Sequence, residues 1–116
     1  MINMNDQYRA TYEALAKQIP FKPEICIILG SGLGDFAEKV DTIKSIPTTS
    51  LPNYPVSTVQ GHHGYLHFAN YANKNLLIVQ GRIHLYEGYR ISQCIVPVFL
   101  ASRLNCKKIL LTNAAG

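Results

Sequence analysis

Apolar positions recur along the chain with two different periods, and between them they predict most of the elements. From Asp6 to Ile19, Tyr8, Tyr12, Leu15, Ala16 and Ile19 recur every three or four residues with Pro20 and Pro23 beyond, which predicts an amphipathic helix packed on the body. Ile25 to Leu29 is an unbroken, partly β-branched run ending at a glycine, the pattern of a strand buried on both faces. A short helix is expected over Asp35 to Val40. Ile46 to Val59 contains Pro47, Pro52 and Pro55, so it is expected as an extended connection, a kind of segment that often carries function. Tyr65 to Ala69 alternates, Leu76 to Gln80 is apolar, and the turn-rich NYANKN between them predicts an antiparallel hairpin. Ile91 to Leu104 has helical spacing, with Pro97 either kinking the helix or marking a late start. Lys108 to Thr112 is expected as a further short buried strand. With no internal repeat and no linker, the pattern describes an α/β protein with a mixed sheet and flanking helices.

Composition narrows this picture. The 116 residues are 47% hydrophobic and 16% charged, which favours a packed domain over disorder. The formal charge of +4 is scattered, and Lys107-Lys108 is the one adjacent basic pair, so no nucleic-acid stripe is present. A mild positive excess would still steer small anions toward a cleft. Cys26, Cys94 and Cys106 form no CxxC pair and are expected as buried thiols. The first residues lack an apolar signal core, and the longest apolar run, Cys94 to Ala101, is too short to span a bilayer. A cytoplasmic location with no membrane partner is the resulting expectation.

Four segments carry candidate chemistry. Gly30 to Gly34 (GSGLG) directly follows a buried strand, the place where α/β folds bind ligands; its glycines permit an amide nest for an anion, and Ser31 adds a hydroxyl donor. A dinucleotide fingerprint would need Gly or Ala where Asp35 stands, and no GK[ST] follows for a P-loop. A plain tight turn is the bland alternative. Gly81 to Gly88 (GRIHLYEG) aligns Arg82, His84 and Tyr86 if extended: a guanidinium fork for phosphate, a further donor, and a flat ring suited to a sugar. A surface ion pair of Arg82 with Glu87 and a core histidine at 84 would be the competing fate of these residues. In Gln60 to Gly64 (QGHHG), His62 and His63 are free to face a cleft. Zinc is disfavoured there, because adjacent histidines in a strand diverge and no further ligand has metal-site spacing. Thr112 to Gly116 (TNAAG) follows the last strand with small residues, suited to direct backbone contact with a ligand or to the start of a helix.

Taken in order, ILGSGLG, LPNYPVSTVQGHHG, QGRIHLYEGY and LLTNAAG closely resemble the purine nucleoside phosphorylases of the trimeric class. The resemblance runs from about Pro23 to Gly116. It implies a phosphorylase/hydrolase-like α/β fold, with residues 1–116 as the amino-terminal portion of a single domain. It also implies phosphorolysis of inosine and guanosine to free base and ribose 1-phosphate in purine salvage, with inorganic phosphate as co-substrate and no cofactor or metal. By the same resemblance Ser31, Arg82, His84 and the Ala114 amide would bind phosphate, and Arg82, His84 and His62 would be the catalytic groups. His62 would lie beside phosphate and sugar, Tyr86 would contact the ribose, and Asn113, Ala114, Ala115 and Gly116 would begin the base pocket. A homotrimer is the family's assembly.

Two departures bear on this. His63 stands where a small residue is more usual. Family chains also continue well past TNAAG, and the further part supplies the groups that grip the purine. The expectation is therefore a truncated product or one piece of a split enzyme, which would associate with a missing carboxyl-terminal part. Two alternatives stand beside it: an inactive phosphate- or nucleoside-binding fragment, and a 5′-methylthioadenosine phosphorylase relative, against which Ser31 in GSGLG argues.

Overall fold

The computed structural model describes residues 4–29, 39–55, 64–80 and 96–111. The first helical stretch is two pieces, α1 (Met4–Gln7) and α2 (Arg9–Ala16). They are split at Tyr8, which leaves helical dihedrals (φ −113°, ψ 18°) and buries its ring. The helix therefore ends earlier than its apolar spacing predicts, at Ala16, while Ile19 and Phe21 pack on the core from the following turn.

Five strands form one sheet in the order β2-β3-β4-β1-β5. They are β1 (Ile25–Ile28), β2 (Asp41–Pro47), β3 (Tyr65–Tyr71), β4 (Lys74–Gln80) and β5 (Lys108–Leu111). β1 lies parallel between β4 and β5, and β3 is antiparallel to both β2 and β4. This is the mixed α/β sheet that the pattern predicts. The hairpin strands reach into NYANKN, leaving a two-residue turn in which Ala72 (φ 51°) and Asn73 (φ 64°) are both left-handed, as a type I′ turn requires. β2 was not foreseen. Its solvent-facing residues hide the alternation of a strand, since Ile46 alone is buried, and Pro47 sits at its end on the sheet edge, where a missing amide is tolerated.

The described part of the second helical stretch, α3 (Val96–Arg103), contains Pro97; residues 91–95, on which the choice between a kink and a late start turns, lie outside the described residues. The helix stops in a Schellman motif: Asn105 is left-handed (φ 65°), Cys106 N–H donates to Ala101 O (3.1 Å) and Asn105 N–H to Ser102 O (3.0 Å).

One face of the sheet, with Cys26, Ile28, Ile46, Leu66, Phe68, Leu77 and Val79, packs with Tyr8, Leu15, Val96 and Leu100 from the helical side. Phe21 meets Phe68 edge-on at 5.8 Å. A smaller cluster on the other face joins Leu29, Val40, Ala69, Leu76 and Ile78. Among the described residues no helix is long and apolar enough to cross a membrane.

Candidate functional site

The three parallel strands are in step over four residues. Ile25 is opposite both Leu76 and Lys108, and Ile28 is opposite both Val79 and Leu111. Glu24 sets this register at the amino ends. Its amide donates to Asn75 O (2.8 Å), its carbonyl accepts from Lys107 N–H (2.7 Å), and its carboxylate Oε2 accepts from Asn75 N–H (3.1 Å). Ile28 is level with Val79 and Leu111, so Leu29, Gln80 and Leu111 stand within one residue of each other along one edge. Leu29 N–H extends the ladder by donating to Val79 O (2.9 Å).

β3 runs the opposite way, so its first residue arrives at that same edge: Tyr65 is opposite Gln80. Gly64, just before it, accepts from Thr48 N–H (3.1 Å). A Cβ on Gly64 would lie 2.6 Å from Thr48 Oγ1, which explains a glycine there. GSGLG, QGHHG, GRIHLYEG and TNAAG are thus attached to four neighbouring strands, β1, β3, β4 and β5, at a single end of the sheet. Ser31, His62, His63, Arg82, His84, Tyr86, Asn113, Ala114, Ala115 and Gly116 themselves lie outside the described residues, as do Cys94 and the short helix expected over Asp35 to Val40 up to residue 38.

Sequence reasoning passed over a polar line at this end of the sheet. His67 Nε2 is 2.7 Å from Gln80 Oε1, and His67 Nδ1 is 2.7 Å from Ser45 Oγ. The amide oxygen can only accept, so Nε2 carries a proton, and in the neutral ring Nδ1 accepts from the serine hydroxyl. Tyr65 stacks on the imidazole at 5.6 Å with an interplanar angle of 17°. The alternation of YLHFA, which puts Tyr65, His67 and Ala69 on one face, was the available signal.

Other groups are inert by comparison. Burial pushes the Cys26 thiol up to about 12, with nearby Cys106 adding to it, and burial likewise raises Cys106. Both are free thiols, Cys26 buried and Cys106 partly so. Burial, then Cys26, raises the Tyr54 phenol. Among the described residues no three His, Cys, Asp or Glu side chains gather as metal ligands. A surface hollow of about 340 Å³ between α2 and α3, lined by Arg9, Tyr12, Glu13, Phe99 and Arg103, involves no strand end.

In class, then, this is an α/β protein whose mixed sheet presents four motif-bearing segments along one edge. No family model matches the chain. It is 40% identical over 102 residues to purine nucleoside phosphorylase 1 of Geobacillus stearothermophilus, covering 88% of this chain and 37% of that protein. It is 41% identical over 107 residues to purine nucleoside phosphorylase of Anopheles gambiae, covering 92% of this chain and 30% of the relative. A crystal structure of purine nucleoside phosphorylase in complex with ribose-1-phosphate superposes with a TM-score of 0.86 at 37% identity, over 97% of this chain and 41% of the other. The Schistosoma mansoni enzyme in complex with inosine gives a TM-score of 0.83 at 34% identity, over 95% and 38%. In sequence and in fold alike, the chain corresponds to an amino-terminal portion of the purine nucleoside phosphorylases. It spans well under half the length of these relatives.

Proposed function

We propose that the protein serves phosphorolysis of purine nucleosides, inosine and guanosine in particular, and that this chain contributes the phosphate half of the site. The observation that carries the reading is the shared strand edge. Ser31, Arg82 and Asn113 each follow Leu29, Gln80 or Leu111 by two positions, and His62 precedes Gly64 by two. A two-residue tether reaches about 7 Å. Four adjacent strands span roughly 14 Å at their usual spacing. One small oxyanion is therefore within reach of all four segments.

In this reading Ser31, Arg82, His84 and the Ala114 amide hold phosphate on one face of the anomeric carbon. His62 lies beside phosphate and sugar, Tyr86 packs on the ribose, and Asn113, Ala114, Ala115 and Gly116 open the base pocket. A phosphate oxygen bonds to the anomeric carbon as the glycosidic bond breaks, and the purine leaves from the opposite face with the bonding pair and takes up a proton. Positive charge on the sugar peaks between the two events, so catalysis rests on positioning and on electrostatics. Nothing in that scheme requires a metal or organic cofactor. Groups that grip the leaving base come from further chain, and the working assembly is a cytoplasmic homotrimer.

Two measurements test this. Calorimetric titration with inorganic phosphate should give saturable binding that Arg82→Ala abolishes. Supplying the remaining portion of a family member in trans should yield phosphate-dependent release of hypoxanthine from inosine. Phosphate binding without turnover in a well-folded reconstituted pair would instead mark a binding fragment.

A further inference from the structure

We infer that Ser45, His67 and Gln80 form a positioning relay for the phosphate half of the site, an inference that rests on the function proposed above. One imidazole ties together the strand ends that carry two of the four segments. His67 sits inside β3, directly opposite Ser45 on β2, and diagonal to Gln80 on β4, whose direct partner is Tyr65. Both ring nitrogens are engaged at 2.7 Å, and the ring face stacks on Tyr65. The same side chain therefore grips the first residue of β3 and the last of β4.

Arg82 follows Gln80 by two positions. Holding Gln80 fixes the point from which that short tether departs, and so narrows the volume that Arg82 can sample. A free glutamine side chain samples many rotamers, whereas this one is fixed at its tip by His67 and at its backbone by pairing with Tyr65. Ile78 lies directly opposite His67, so the relay borders the apolar cluster of this sheet face at the end where the segments attach. Ser45 adds the outermost restraint, since its hydroxyl fixes the ring orientation from the edge strand.

The test is a calorimetric titration of the chain with inorganic phosphate in a double-mutant cycle. His67→Ala should weaken phosphate binding about fivefold, the worth of one ordinary hydrogen bond. His67→Gln, which keeps an N–H donor toward Gln80, should restore most of it. Gln80→Leu should match His67→Ala, and the double variant should be no weaker than either by more than about twofold, because both remove the same link. Tyr71→Ala, at the far end of β3 and 57% exposed, should leave the affinity unchanged. Should His67→Ala fail to fold, Gln80→Leu carries the same prediction. The relay is overturned if His67→Ala binds phosphate like the wild type, or if the two losses simply multiply. With Arg82→Ala abolishing binding in the same series, such a result leaves the site reading standing. A wild-type chain that binds no phosphate overturns both.

Discussion

At the scale of single residues, burial and close packing make definite demands. Cys26 is fully buried between strands, and its thiol is raised from 9.0 to about 12. Between those two values the unfolded chain loses the proton and the native chain keeps it, so the native state binds more protons and stability falls as pH rises. Below about pH 9 the contribution is fully present. Replacing Cys26 by Ala should flatten the decline in urea stability between pH 9 and 12, even though the cavity costs stability at every pH. An unchanged slope would mean that other groups dominate the alkaline loss. Gly64 makes a steric demand instead. Its missing Cβ would meet buried Thr48 Oγ1 at 2.6 Å, so Gly64→Ala should cost about 1–3 kcal/mol by denaturant titration. Thr48→Ser in the same background would leave that clash in place, whereas Thr48→Ala should relieve it.

At the scale of elements, two devices set the sheet. In the hairpin turn, Ala72 occupies a left-handed position that alanine disfavours and asparagine tolerates. Ala72→Asn should therefore raise stability by about 0.5 kcal/mol, read as a higher urea midpoint with the same slope. At the amino ends, Glu24 joins β4 to β1 through its own side chain. Glu24→Ala should cost about 1–2 kcal/mol and leave the Asn75 amide faster to exchange with solvent. These elements also show what the sequence reveals and what it hides. β1, the hairpin and the helix carrying Pro97 are legible because burial on one or both faces writes a period into the residues. β2 is not, because an edge strand with one buried residue writes none, and its partners come from distant β3. The break at Tyr8 is hidden too: the apolar spacing runs through it, and tertiary packing of the ring decides the conformation.

At the scale of the whole molecule, four segments separated by up to about eighty residues are brought to one edge by strand order and by a register that is level across β4, β1 and β5. The attachment of Ser31 and Arg82 just after apolar runs is legible in the sequence, and the two residues themselves lie outside the described residues. The Ser45, His67 and Gln80 line is not legible there, because it exists only once three strands are side by side. The claim on which the function depends is that a phosphate ion binds at this edge. Amide chemical shifts followed during titration with inorganic phosphate test it directly. Leu29, Gly64, Gln80 and Leu111 should shift together with one binding constant, while Asn73 and Asn105 should not move. Shifts confined to the Asn73 and Asn105 turns, or scattered without saturation, would contradict the account.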